Sequence, residues 1–229
     1  MGPANMVSND QRRSPIGMGS YKFFVVFILI SLFVVYLNRH HLEQQTNFWN
    51  QYVPMAEYLR GVADRELLTY PMWGYPVLLL LAPDYNLAWI PQVLLGALAA
   101  TLLYRQLLDD LPEHGTLLTV FFVGAVPWYL LHSVKWPQSV AASLIILGLV
   151  LLNKSFRANR IGLGALAGVL IGVSFYFRAE FTIFPVALVA VAALTRLIRS
   201  ARSTPMKPIL ACAAVSWLPR SPVHPDFEA

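Results

Sequence analysis

An arginine and a glutamate one residue apart, Arg178 and Glu180, sit between two long apolar runs, Leu163–Phe177 and Phe181–Leu194. A charge at bilayer depth costs roughly 2.5–3.5 kcal/mol on insertion scales. The triplet Arg178-Ala179-Glu180 therefore marks a turn at a membrane interface or faces a polar cavity between helices. Groups of the same kind occur elsewhere. Glu43, Tyr52, Glu57, Arg60, Asp64, Arg65 and Glu66 lie in one polar stretch, and Lys135 and Trp136 lie in a short turn. Carboxylates beside cations and aromatic rings, in an interface that excludes water, suit the transfer of a sugar. A carboxylate takes a proton from an acceptor hydroxyl, cations hold a phosphate leaving group, and an aromatic face stacks on the sugar ring.

Each of these groups also has a plainer explanation. Trp49, Tyr70, Trp73, Trp89, Trp128 and Trp136 fit the aromatic belts found at membrane interfaces whatever the function. Met55, Tyr58, Leu59 and Val62 follow a helical spacing, which predicts the apolar face of an interfacial helix. Arg178 and Glu180 could pair as a structural lock. His132, near a helix end, reads as a hydrogen-bonding residue rather than a base. His40-His41 has no third ligand at metal spacing, so no metal is expected. No phosphate-binding glycine loop, nucleophile elbow or zinc-helix signature is present, and no cofactor is expected.

The elements that must position these groups are membrane spans. Hydrophobic residues make up 57% and charged residues 13% of 229 residues, against roughly 25% charged in a soluble domain. Mean hydropathy is +0.55. The single Cys212 excludes a disulfide framework. Residues 1–20 read as a disordered cytoplasmic tail, and Tyr21–Asn38 as an uncleaved signal anchor close to the ~20 residues a bilayer core needs. An outer loop over 39–70 follows, then a short interfacial or re-entrant helix from Gly74 to Ala82. Further spans are expected at Leu87–Leu108, Thr116–His132, Gln138–Asn153, Ile161–Phe177 and Phe181–Leu197, with a seventh at Pro208–Leu218. Residues 219–229 read as a second disordered tail. Gly162, Gly164, Gly168 and Gly172 form a small-residue stripe that permits close helix packing.

The fold class expected is therefore all-α and polytopic, with six or seven crossings. Orientation follows from the cations. Arg12, Arg13, Lys22, Arg105, Lys154, Arg157, Arg160, Arg196, Arg199, Arg202 and Lys207 fall on the side of the N-terminus. Only Arg39, Arg60, Arg65, Lys135, Arg178 and Arg220 fall on the other. The positive-inside rule then makes the N-terminus cytoplasmic, in a plasma or inner membrane. The sequence pI near 9.5 comes from these topogenic charges, so nucleic acid is not an expected partner. Glu43, Lys135, Arg178 and Glu180 share the outer side.

Three stretches carry a family resemblance. They are Gln51–Gly61, the element Tyr70-Pro71-Met72-Trp73-Gly74-Tyr75-Pro76, and Gly168–Pro185 with Phe177-Arg178-Ala179-Glu180 inside it. Together they resemble the amino-terminal portion of GT-C superfamily membrane glycosyltransferases, in the branch of protein O-mannosyltransferases and lipid A aminoarabinose transferases. The resemblance covers roughly 21–197 and implies inverting transfer of a sugar from a polyprenyl-phosphate donor on the outer face. The partners implied are the bilayer and that lipid-linked sugar. On this reading Glu43 is the base, Lys135 and Arg178 face the phosphate, and Tyr52, Arg60, Arg65 and Glu180 complete the substrate site.

The chain departs from that family in places. Its members carry an acid shortly before the first interfacial helix, where this chain has Asn47-Phe48; Glu43 is the nearest acid upstream. Many have another acid in the turn where this chain has Lys135-Trp136-Pro137-Gln138. The relatives continue beyond the point matching Ser216–Arg220, so the chain reads as a fragment, a frameshifted product or a degenerate paralogue. The departures also support an alternative, a non-catalytic degenerate relative or membrane scaffold subunit. A small-solute transporter would show paired broken helices in two halves, which the sequence lacks.

Overall fold

The computed structural model describes residues 16–42, 52–62, 73–82, 84–133, 135, 137–178, 187 and 206–217. Most of these residues are helical, and no strand occurs among them. In chain order the helices are α1 (Ile16–Leu42), α2 (Val53–Leu59), α3 (Gly74–Leu79), α4 (Trp89–Asp110), α5 (Gly115–Val123), α6 (Val126–Ser133), α7 (Pro137–Ala158), α8 (Ile161–Ser174) and α9 (Met206–Trp217). Two are long and apolar enough to cross a membrane: α1, through Gly19–Asn38, and α7. Shorter apolar helices are Ile161–Ser174 and Lys207–Ser216.

Packing runs in a chain, with α1 against α4 and α6, α4 against α7, α7 against α8, and α8 against α9. Contacts at the helix ends fix the directions. Ala88, just before α4, clusters with Val140 and Ala141 near the start of α7, and Arg157 pairs with Asp110 near their other ends. So α4 and α7 run parallel. Phe23 of α1 stacks on Tyr104 of α4 at 4.5 Å, and Phe27 lies 4.7 Å from Tyr129 of α6.

The glycine stripe packs helices together. A Cβ at Gly164 would lie 2.7 Å from the carbonyl oxygen of Pro208, and one at Gly168 would lie 3.0 Å from the carbonyl carbon of Cys212. Backbones this close leave no room for a side chain, which is the use of small residues between membrane helices. Pro208 and Cys212 advance with Gly164 and Gly168, so α8 and α9 are parallel. Gly162 faces open space and takes no part.

Two expectations change. The run Thr116–His132, expected as one crossing, is divided into α5 and α6 at Gly124-Ala125. Pro127 has no N–H to give the carbonyl of Val123, so the ladder cannot continue through it. The helical stretch expected to hold Met55, Tyr58, Leu59 and Val62 is also shorter, because α2 ends at Leu59. α2 buries Val53, Met55 and Ala56, whereas Leu59 and Val62 are exposed. Gly61, at φ 75°, ends the helix, with the N–H of Val62 returning to the carbonyl of Glu57 at 2.9 Å. This left-handed stop carries Val62 off the helical register. The expected span Phe181–Leu197 lies outside the described residues.

Candidate functional site

One end of the bundle gathers the polar residues of interest, and α3 is its keystone. The backbone N–H of Gly74 donates to the carbonyl of Tyr176 at 2.9 Å. That approach requires glycine, because a Cβ would come within 2.7 Å of the Tyr176 backbone and 2.9 Å of the Phe177 ring. Beneath this joint one apolar cluster unites Tyr52, Val53 and Ala56 with Tyr75 and Leu79, Ala88, Val140, Ala141, Leu144 and Phe177. The cluster therefore joins α2, α3, the starts of α4 and α7, and the turn after α8.

A buried polar chain runs inward from the same place. The Tyr75 hydroxyl donates to Gln92 Oε1, and Gln92 Nε2 donates to Ser139 Oγ at 2.9 Å. Burial, with a smaller contribution from Tyr52, pushes the Tyr75 phenol well above its usual pKa, so it stays a donor. Ser143 Oγ lies 2.8 Å from both the Ser139 carbonyl and His132 Nε2. His132 Nδ1 meets the Trp128 carbonyl at 2.8 Å, so that nitrogen carries a hydrogen. The Gly96 position gives the imidazole its space, since a Cβ there would lie 2.8 Å from Cγ of His132. α3, α4, α6 and α7 are thus pinned by side-chain hydrogen bonds in an apolar interior, where a lost partner is expensive. The reading of His132 as a hydrogen-bonding residue agrees with this geometry.

The cations lie around this end, Arg60 exposed, Arg178 half-buried and Lys135 buried. Arg178 follows α8, its N–H donating to the Ser174 carbonyl at 3.2 Å. With the Gln138 amide turned so that its oxygen faces Arg178, the orientation that satisfies both side chains, that oxygen accepts from Nη1 and Nη2, each at 3.2 Å. Lys135, 3% exposed, lies two residues before the first residue of α7. Both cations therefore flank the start of α7. Arg60 is turned toward α3. Its Nη2 lies 3.4 Å from the carbonyls of Leu79 and Ala82, and its guanidinium carbon sits 4.8 Å over the Tyr85 ring. Helix-end carbonyls and an aromatic face both favour a cation, so Arg60 fastens α2 to α3. Tyr52 is 5% exposed and meets the Tyr75 ring edge-on at 5.0 Å.

Of the residues expected in the site, Tyr52, Arg60, Lys135 and Arg178 share this end. Glu43, Arg65 and Glu180 lie outside the described residues, as do the His40 and His41 side chains. Sequence reasoning missed Gln92, Ser139 and Ser143. The available signal was a set of polar residues inside apolar runs, two of them four residues apart on one face of α7. Gln138 stood in a quoted stretch without a role. No family model matches the chain, and no curated protein or solved structure matches it.

Proposed function

We propose that the chain is a polytopic membrane protein of glycosyltransferase type, moving a sugar from a polyprenyl-phosphate donor at the membrane face where α7 begins. The observation that carries this reading is convergence. The three separate stretches that resemble the GT-C pattern, at Gln51–Gly61, Tyr70–Pro76 and Gly168–Pro185, contribute Tyr52, Tyr75 and Phe177 to one cluster. Arg178 directly follows Phe177 of that cluster, and the buried Lys135 lies two residues before α7; both are cations suited to a phosphate.

In the reaction, the acceptor oxygen forms a bond to C1 of the sugar while the bond from C1 to the phosphate oxygen breaks. The electron pair leaves with the phosphate, where Arg178 and Lys135 offset the developing charge. The proton of the acceptor hydroxyl passes to a carboxylate, the role proposed for Glu43. On this reading the chain crosses the membrane six or seven times, the N-terminus is cytoplasmic, and the reaction faces outward.

The test is transfer of labelled sugar from polyprenyl-phosphate donors by purified protein, with Glu43→Gln alongside. Transfer that falls in the variant supports the assignment, and undiminished transfer removes Glu43 from it. A second reading, a non-catalytic relative or scaffold subunit, is favoured by one observation: Asn47-Phe48 and Lys135–Gln138 replace the acids found in that family. Absence of transfer from every donor tried would favour that second reading.

A further inference from the structure

We infer that Gln138 is a positioning residue that aims the Arg178 guanidinium at the phosphate of the donor; the phosphate part of this inference rests on the function proposed above. Arg178 is fixed at both ends. Its main chain is tied to α8 by the Ser174 carbonyl at 3.2 Å, and the Tyr176 carbonyl two residues earlier is bonded to Gly74 at 2.9 Å. Its tip meets the amide of Gln138, whose oxygen, once assigned to the side facing the guanidinium, accepts from both Nη1 and Nη2 at 3.2 Å.

Gln138 is well placed to hold it. It is the second residue of α7, directly after Pro137, and a proline at the first helical position has a backbone angle already set for the helix. The side chain therefore leaves a rigid start. A planar guanidinium gripped through both terminal nitrogens has its plane set, and a plane is what two-point recognition of a phosphate needs. An amide fixes that plane without adding charge. A carboxylate at this position would pull the cation toward itself and compete with the donor.

The experiment uses full-length protein in detergent and follows phenylglyoxal modification of Arg178 by peptide mass spectrometry. Gln138→Met keeps the length of the side chain and removes the acceptor, whereas Gln138→Asn keeps an amide but withdraws it by one carbon. Loss of the hydrogen bonds to the charged guanidinium frees its tip, so both variants are expected to react at Arg178 at least about tenfold faster than the native protein. Gln138→Glu restores an acceptor and is expected to return the rate to the native level. Equal rates in the native protein, Gln138→Met and Gln138→Asn would overturn the positioning role.

A second arm adds unglycosylated polyprenyl phosphate. Protection of native Arg178, weakened about tenfold in Gln138→Met, supports the assignment to phosphate binding. Failure of the lipid to protect native Arg178 would overturn the phosphate site alone, because the labelling rates without lipid report on the Gln138 contact independently.

Discussion

The amide of Gly74 and the carbonyl of Tyr176 are 2.9 Å apart, and this one hydrogen bond joins two residues more than a hundred positions apart in sequence. It holds α3 against the turn that bears Arg178. The glycine is required by space, since a β-carbon would enter the Tyr176 backbone at 2.7 Å.

Gly74→Ala is therefore expected to loosen α3 from α8. Overpacking of this kind costs about 1–3 kcal/mol, read as a lower thermal midpoint in detergent and faster proteolysis between α2 and α4. Gly162→Ala is the control. Nothing lies within 4 Å of a Cβ there, so its midpoint should match or slightly exceed the native value.

Gln92 joins Tyr75 to Ser139, so Gln92→Leu removes a hydrogen bond from two buried groups at once. A buried group without its partner costs about 1–3 kcal/mol. Gln92→Leu should destabilise the protein more than Tyr75→Phe or Ser139→Ala alone. A double-mutant cycle of Gln92→Leu with Tyr75→Phe should be clearly non-additive, because both changes break the same hydrogen bond. Additive losses would mean that the chain of hydrogen bonds does not act as a unit.

Gly168→Leu should separate α8 from α9, because the Gly168 position sits against the Cys212 backbone. Cys212 is buried and its thiol serves as the reporter. Its reaction with a small maleimide, slow in the native protein, should accelerate in Gly168→Leu and stay slow in Gly162→Leu.

Arg178→Ala should lower sugar transfer by about 100-fold, the order of loss when one donor to a developing oxyanion is removed. Arg178→Lys keeps the charge but loses the two-point grip, so transfer should fall between the two. Arg60→Ala acts differently. Its loss should appear as lower stability through the freed end of α3, with transfer per folded molecule changed less than in Arg178→Ala.

The parts legible in sequence were those set by long apolar runs. α1, α4 and α7 lie where the hydrophobic runs put them, and the small-residue stripe of α8 predicted close packing before its partner was known. Shorter features were harder to read. Thr116–His132 is apolar throughout, and average hydropathy does not register that Pro127 interrupts the backbone ladder. The helical spacing read from Met55 to Val62 overran α2, because Gly61 ends the helix before Val62. The candidate site was half legible. Arg178 and Lys135 stood out because charge is rare in this chain. Gln92, Ser139 and Ser143 are neutral and short enough to pass within apolar runs, and their partners come from other helices, which spacing along one helix cannot reveal.

The account depends above all on Arg60, Lys135 and Arg178 sharing one membrane face, and impermeant labelling of single cysteines tests that face most directly. In a Cys212→Ala background, Val62→Cys and Asp84→Cys mark the end where α7 begins, and Glu113→Cys marks the opposite end beyond α4. All three positions are exposed. In sealed vesicles with the outer face outward, positions 62 and 84 should react with a charged maleimide, and position 113 only after the membrane is opened. Reaction of positions 62 and 84 from opposite sides, or of 84 and 113 from the same side, would contradict the account.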